Sequence, residues 1–344
     1  MNMYRQALDS LRPIVAAIVV TAGAFALFVA ASGYPAVEAL MLVGKGAFGS
    51  GFAWQNTLSR AAPIMFTALC VAVPARAGMV IIGGEGALAL GGLAAAMVGV
   101  WWASRPVVMV LAGMALAAWV TGGLWIGISG WLRYRRGVNE TISSLLLAYI
   151  GQAVFNFLVE GWLRDPASLN KPSTAPLDSR DMIGNIPGME VHWGLAWGVL
   201  ACLAAWWLLR HTVFGFAIDI VGGNPRAAKM TGLPVGRLML AASVLGGGFA
   251  GLAGMFEVAA VQGCANADLM AGYGYQGILV SFAARHHPLG VIAGAILIGG
   301  LGASNSLLQR HLDLPDAAAQ VLQGLLFVSL LAFETLNRRG GRHA

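Results

Sequence analysis

Charged side chains are scarce in this chain: Asp, Glu, Lys and Arg make up 10% of its 344 residues, whereas a soluble globular domain carries about 25%. Hydrophobic residues make up 58%, and the mean hydropathy is +0.73. One water-soluble core cannot bury this much apolar surface. The composition therefore excludes a soluble globular domain and predicts an all-α polytopic membrane protein, with residues 1–344 forming a single transmembrane domain.

Cysteine is also rare, and Cys70, Cys202 and Cys264 lie in or beside apolar segments without a CxxC spacing. This pattern favours unpaired buried thiols over disulfides or a metal site. The sequence contains no HExxH motif, and no pairing of His, Asp and Ser or Cys suggests a nucleophile. We therefore expect no catalysis, no metal and no cofactor on this chain.

Nucleotide-binding motifs are missing or misleading. No GxxxxGK[ST] loop occurs, and Lys45 stands in GKG without the rest of that motif, so the chain cannot hydrolyse ATP by this route. Gly272, Gly274 and Gly277 spell GxGxxG. A dinucleotide site requires a preceding strand and a βαβ unit, and here the neighbouring segments are apolar membrane segments. We reject a dinucleotide site on this ground.

Apolar windows of about 20 residues, the length that crosses a bilayer as a helix, recur along the chain. They predict about ten crossings (range 8–10), of which the eighth, 271–284, is short, with both termini on the same side of the membrane. Between the first two crossings, residues 34–56 are interrupted by glycine, and an interfacial helix followed by a loop is expected. The predicted spans are 13–32, 57–75, 79–102, 106–129, 140–160, 191–209, 238–260, 271–284, 289–308 and 316–335.

The distribution of basic residues predicts the orientation. On this path, 14 of the 21 Lys and Arg residues fall in segments on one side of the membrane and 7 on the other. Because Lys and Arg are enriched in cytoplasmic loops, both termini are predicted to be cytoplasmic. Residues 210–238 then lie in the cytoplasm, and residues 161–190 form the main external loop, which either receives a partner or is only a connector.

The cytoplasmic insert 210–238 is long and polar. A turn is predicted at 222–225, followed by a short helix at 226–230 that Gly232 and Pro234 stop. A short helix between two membrane helices is a natural contact surface, although a solvated loop with a proline-led turn gives the same pattern.

Polar residues inside predicted spans are costly and therefore informative. Glu85 is the one acidic residue well inside a predicted helix, where it either lines a pathway or hydrogen-bonds to a neighbouring helix, with the adjacent glycines letting the backbone bend. Glu140, Glu257 and Glu334 lie close to predicted helix ends, where water or headgroups reach them. The candidates for a polar translocation path are Glu85, Gly83, Gly86, Asn139, Glu140, Gln152, Asn156 and Asn305.

Four blocks of the sequence together resemble the permease subunits of ATP-binding-cassette (ABC) importers in the branched-chain amino acid and simple-sugar class, nearest the nucleoside-type subgroup. The blocks occur in family order at 78–92, 137–150, 222–233 and 272–297. In that family a G-x-N-P-x-A-A segment forms the cytoplasmic element that docks on the ATPase. The resemblance assigns this coupling role to Gly223, Asn224, Pro225, Arg226, Ala227 and Ala228, and we include Lys229 and Gly232 of the same segment.

The first block departs from the family pattern N-I-G-x-E-G-Q. Ile81 and Ala87 stand where the family has the flanking Asn and Gln, whereas Glu85 matches. If those amides contact the solute in relatives, this chain prefers a less polar or differently substituted ligand than they do.

The resemblance implies a permease of the bacterial inner membrane that moves a nucleoside or simple sugar by alternating access. Its implied partners are separate ATPase subunits that hold ATP and Mg, a second and different permease subunit, and a periplasmic or lipoprotein solute-binding protein, with no nucleic acid. An ion-coupled secondary carrier is the alternative, although carriers place several ionisable groups near the midplane and this sequence offers Glu85 alone. A membrane scaffold without transport activity is a third possibility.

Overall fold

A computed structural model describes the backbone of residues 2–315 and 317–340 and the side chains of residues 15–315 and 317–333; Glu334 lies outside the described side chains. Within these ranges the chain is helical and forms no β-strand. The α-helices are α1 (Asn2–Ala31), α2 (Ala36–Phe48), α3 (Gly51–Arg76), α4 (Gly84–Trp101), α5 (Val107–Arg136), α6 (Glu140–Glu160), α7 (Gly194–His211), α8 (Val213–Gly223), α9 (Pro225–Met230), α10 (Val235–Glu257), α11 (Tyr273–Ala283), α12 (Pro288–Leu312) and α13 (Ala317–Gly340).

Seven helices of the described chain are long and apolar enough to cross a membrane, compared with the ten crossings that the sequence predicts. The predicted span 271–284 becomes α11, whose 11 residues reach about 17 Å, roughly half of the hydrocarbon core. The predicted spans 13–32 and 316–335 extend beyond the residues whose side chains are described, and their described parts, Val15–Ala31 of α1 and Ala317–Phe333 of α13, are apolar helix. The seven longer helices are α3, α4, α5, α6, α7, α12 and α10, the last continued by a π-helical turn at Val258–Gln262.

Local signals set several helix ends. The side chain of Asn139 accepts hydrogen bonds from the backbone amides of Thr141 (2.9 Å) and Ile142 (3.2 Å), and therefore caps α6. Gly137 ends α5 with a φ of +66°, a conformation that suits glycine. The predicted span 140–160 and the observed helix α6 have the same bounds.

The predicted start of the third span is wrong. Residues 79–102 were expected to be helical, but α4 begins at Gly84 and residues 79–82 are non-helical. The freed backbone groups are satisfied by α6: Val80 donates to Glu140 Oε1 (3.3 Å) and accepts from Thr141 Oγ1 (3.1 Å), and Ile82 donates to Ser144 Oγ (3.0 Å). Because α6 supplies these partners, the chain stays non-helical here without leaving buried amides unpaired.

Two other segments differ from the sequence prediction. Between the first two spans the expected helix is present as α2, but the expected loop is short because α3 begins at Gly51. The insert 210–238 contains an additional helix, α8, which Thr212 caps by accepting a hydrogen bond from the amide of Gly215 (3.2 Å). The predicted short helix follows it as α9, but the turn predicted at 222–225 is reduced to Asn224, because Gly222 and Gly223 end α8 and Pro225 begins α9.

The chain divides into two compact units, residues 1–60 with 296–344 and residues 61–295. In the first unit, α1 packs against α13 and a core forms around Phe25, Leu42, Leu308 and Leu322. In the second, α10 packs against α5 and α4. A Cβ added to Gly122 would lie 2.8 Å from the Cα of Gly251, so the close approach of α5 and α10 depends on glycine at this crossing.

Candidate coupling and translocation sites

The short helix α9 forms because each of its ends carries a stop signal. Asn224 accepts hydrogen bonds from the amides of Arg226 (3.0 Å) and Ala227 (3.2 Å), which caps the first turn. Pro225 occupies the first helical position, where its missing amide hydrogen is not needed. Gly232, with a φ of +83°, turns the chain away after the helix.

One face of α9 is anchored and the other is exposed. Ala228 is fully buried in a hydrophobic cluster with Ile218 and Val221 of α8 and Val235 and Met239 of α10. The remaining positions lie at the surface: Gly223, Asn224, Pro225, Arg226, Ala227, Lys229 and Gly232 are exposed, and Met230 is 89% exposed. The helix therefore presents basic and apolar side chains at the surface while Ala228 anchors it to the cluster.

A salt bridge and a glycine contact tie α8 to the end of α3. The guanidinium of Arg76 contacts both carboxylate oxygens of Asp219, with distances of 2.7 Å from Nε to Oδ1 and 2.5 Å from Nη2 to Oδ2. A Cβ added to Gly78 would lie 3.2 Å from the carbonyl oxygen of Gly222. These contacts connect α8 to Arg76 and Gly78, just before the non-helical residues 79–82.

Glu140 lies in a buried polar cluster rather than at a solvent-exposed helix end. It is 7% exposed, its Oε1 accepts from Val80, and its Oε2 lies 3.2 Å from Nε of Arg133. Glu257, which was also expected to reach water, is 3% exposed. The sequence-based expectation is wrong for both residues because α4, α5, α6 and α10 pack closely around these helix ends.

Glu85 joins α4 to the start of α11. It is 1% exposed, and its carboxylate accepts hydrogen bonds from the amides of Gly272 (2.8 Å) and Gly274 (2.5 Å). These amides belong to the N-terminal end of α11, where backbone donors lack partners within the helix. An anionic side chain at this position satisfies them and interacts favourably with the helix dipole. Gly274 is required here because an added Cβ would lie 2.7 Å from the Cα of Glu85.

Two of the predicted path glycines contact α6. A Cβ added to Gly83 would lie 2.7 Å from the carbonyl oxygen of Ser144, and one added to Gly86 would lie 2.7 Å from the Cα of Ala148. The structure thus gives both residues a packing function, because they allow α4 to approach α6 closely.

The predicted polar residues of α6 are separated by the fold. Asn139 caps the helix and is exposed. Further along, Gln152 and Asn156 are half-buried, and Nε2 of Gln152 lies 3.4 Å from the hydroxyl of Tyr275 on α11. Asn305, on α12, is half-buried and belongs to the unit formed by residues 1–60 and 296–344.

Sequence reasoning missed the partners of these side chains. Gly272 and Gly274 were examined as part of a dinucleotide motif, and the structure shows them donating to Glu85 instead. A glycine-rich stretch directly before a short apolar helix was the available signal. Nothing in the sequence indicated the contacts of Asp219 with Arg76 and of Tyr275 with Gln152. The partners lie 143 and 123 residues apart in the chain, respectively.

The long segment 161–193 is anchored to the chain that follows α10. Backbone amides of Thr174 and Leu177 donate to the carbonyls of Ala265 (3.0 Å) and Gly263 (2.7 Å). A salt bridge between Lys171 and Asp268 adds a third link. Trp162 and Leu169 remain 86% and 81% exposed. The segment is therefore anchored at these points and carries exposed apolar side chains.

Comparison with known proteins places the chain in a family. Residues 53–331 match the family described as branched-chain amino acid transport system, permease component. A glucose ABC transporter permease protein of Haloferax volcanii is 33% identical over 303 residues, covering 84% of this chain and 78% of that protein. A guanosine ABC transporter permease protein of Bacillus subtilis is 29% identical over 315 residues (87% and 86%), and a second from the same bacterium is 24% identical over 274 residues (76% and 84%). The chain belongs to the family of permease components of branched-chain amino acid transport systems and is a multi-pass membrane protein.

Proposed function

We propose that this chain is the membrane-spanning subunit of an ABC importer that carries a small polar solute, a nucleoside or a simple sugar, across the bacterial inner membrane. Relatives named as guanosine and glucose ABC transporter permeases support this solute class. In the proposed topology both termini lie in the cytoplasm. Residues 210–238 face the cytoplasm and residues 161–190 form the main external loop.

The observation that carries the proposal is the anchored and exposed helix α9. Ala228 fixes it to the cluster shared by α3, α8 and α10, while Arg226, Lys229 and Met230 project outward. In this proposal, a partner protein binds the exposed face of α9, and movement of that partner displaces the helix. The partner in this proposal is a separate ATPase subunit that binds ATP and Mg, since the sequence lacks a phosphate-binding loop of the GxxxxGK[ST] type.

The proposed movement follows the contacts outward from α9. Displacement of α8 and α9 acts through Asp219 on Arg76 and through Gly222 on Gly78, and then on residues 79–82. This segment precedes Glu85, whose carboxylate holds the start of α11. Alternating access then consists of two arrangements of these packed elements, whose populations ATP binding shifts. The proposed path residues are Glu85, Asn139, Glu140, Gln152 and Asn156.

Two further partners complete the proposed complex. The two guanosine ABC transporter permease proteins of one bacterium both resemble this chain, which supports a second, different permease subunit beside it. A periplasmic or lipoprotein solute-binding protein delivers the solute to the external loop, where Trp162 and Leu169 are exposed.

The ion-coupled carrier is disfavoured by the surroundings of Glu85. Both carboxylate oxygens of Glu85 already accept backbone hydrogen bonds. A carrier that couples to protons or sodium requires such groups to be available at the midplane.

Charge reversal on α9 tests the coupling role. Arg226→Glu in the assembled complex is expected to abolish solute uptake while leaving the chain folded, because Arg226 is exposed. The matched control is Arg135→Glu, a charge reversal at an exposed residue in the last turn of α5, which is expected to leave uptake unchanged. If the Arg226→Glu variant takes up solute at the wild-type rate, α9 does not have the coupling role.

A further inference from the structure

The start of α11 is a position where a membrane protein can bind an anionic group of its solute. The helix begins at Tyr273 after ten non-α-helical residues, 263–272, and such half-helices direct their N-terminal amides toward carboxylate or phosphate groups. In this chain the position is filled, because the buried carboxylate of Glu85 already accepts the amides of Gly272 and Gly274. An anionic solute group would therefore have to displace a side chain of the same charge.

Beside this filled position, α6 carries a polar face. Tyr149, Gln152 and Asn156 stand at i, i+3 and i+7 and therefore share one side of the helix. Gln152 lies 3.4 Å from the hydroxyl of Tyr275 across the gap to α11. The rings of Tyr149 and Tyr275 are 57% and 37% exposed. We call Tyr149, Gln152, Asn156 and Tyr275 the amide–tyrosine face.

The depth of this face indicates what it contacts. Gln152 lies twelve residues beyond the start of the 21-residue helix α6, about 18 Å along its axis and far from both ends. Amide and hydroxyl groups at such depth are unfavourable against lipid. The face therefore meets a polar solute and its water, or another protein chain.

The formal charges on the helices around this face limit the class of solute that it can bind. Of the residues that carry formal charge at neutral pH, α6 contains Glu140 and Glu160 at its ends, α4 contains Glu85, and α11 contains none. A carboxylate or phosphate on the solute would find no cation on these helices. Hydroxyl groups, by contrast, can exchange hydrogen bonds with the two amides, and tyrosine rings contact the flat apolar surfaces of sugar rings and bases.

We propose that the amide–tyrosine face is the part of the translocation path that contacts the solute, and that it accepts a neutral ring compound with several hydroxyl groups and rejects anionic solutes. This inference rests on the proposed transport function and adds to it the contact residues and the charge of the solute. The anion is rejected because Glu85 occupies the N-terminal end of α11, and the neutral ring is held by Gln152, Asn156 and the two tyrosines.

The test uses the complete complex of this chain, the second permease, the ATPase subunits and the cognate binding protein in proteoliposomes. The labelled probes are guanosine, glucose, leucine and glucose 6-phosphate, each supplied alone. Wild-type complex is expected to transport guanosine or glucose. For that probe, Tyr275→Phe and Gln152→Leu are each expected to lower the uptake rate at saturating binding protein roughly 2- to 10-fold, the effect of one lost hydrogen bond. The fold decrease in the uptake rate of the double variant is expected to be smaller than the product of the two single decreases, because the two residues form one contact with each other.

The matched control is Tyr134→Phe, which removes a hydroxyl from a 53% exposed tyrosine outside the face and is expected to leave uptake unchanged. Transport of leucine or glucose 6-phosphate at a rate similar to the neutral probes would overturn the inference. So would wild-type uptake rates in the variants, or loss of uptake that arises from a smaller complex on native electrophoresis, since the face would then bind the second permease. Absence of ATP-dependent uptake of every probe by the wild-type complex would instead contradict the proposed function itself.

Discussion

Arg76 and Asp219 form a bidentate salt bridge between the last turn of α3 and the middle of α8, with nitrogen–oxygen distances of 2.7 and 2.5 Å. The two side chains are 37% and 40% exposed. A pair this accessible to water contributes at most about 1 kcal/mol to stability. Its geometry matters more for what it connects, because α8 leads directly to the exposed helix α9.

Charge exchange at this pair tests whether it transmits movement. Arg76→Asp and Asp219→Arg, made singly, are expected to lower uptake several-fold while changing the free energy of unfolding by about 1 kcal/mol or less. The double exchange restores an attractive pair and is expected to recover much of the uptake. Uptake and thermal unfolding of the same preparations provide the measurement, and single variants that transport at the wild-type rate would exclude this role.

Ala228 is predicted to be intolerant of a larger side chain. It is 0% exposed in the cluster below α9, and Leu at this position overpacks the cluster at a cost of roughly 1–3 kcal/mol. Ala227, its exposed neighbour, is the matched control, and Ala227→Leu should leave stability nearly unchanged. Thermal unfolding in detergent distinguishes them; equal melting temperatures would show that α9 is not anchored as described.

The cap of α9 gives a local prediction. Asn224→Ala removes the acceptor for the amides of Arg226 and Ala227, which weakens the helix by about 1 kcal/mol. Hydrogen exchange at these two amides should therefore accelerate roughly fivefold. Asn224→Asp keeps an acceptor at the cap and should exchange like the wild type. If Asn224→Ala exchanges no faster, the cap does not hold this helix.

Glu85 is predicted to stabilise the fold through its two hydrogen bonds. Glu85→Ala leaves the amides of Gly272 and Gly274 without this acceptor in a buried site, at a cost of roughly 2–5 kcal/mol. Glu85→Gln retains one carbonyl acceptor and should be less destabilising. Chemical or thermal unfolding of the two variants checks the order, and an alanine variant as stable as the glutamine variant would contradict it.

Hydropathy and capping residues predicted much of this fold because they act within a few residues. The predicted span 140–160 matches α6, and the short helix expected at 226–230 before Gly232 is present as α9. The same approach placed the start of α4 five residues too early. Residues 79–82 are apolar and look helical, but their backbone groups bond to Glu140, Thr141 and Ser144.

The candidate site was only partly predictable for the same reason. Glu85 stood out because an acidic side chain inside a span is unfavourable unless it has partners. Those partners, the amides of Gly272 and Gly274, come from a segment almost 190 residues later. Neither composition nor periodicity indicates which distant backbone groups contact a given side chain. The contact between Glu85 of α4 and the start of α11 is therefore seen only in the structure.

The energy source of transport tests the central claim most directly. Proteoliposomes that contain this chain with its ATPase, second permease and binding protein are supplied with labelled guanosine or glucose, either with ATP and Mg or with proton and sodium gradients alone. The account predicts accumulation with ATP and none with the gradients. Accumulation driven by a gradient at the same rate without ATP would contradict it.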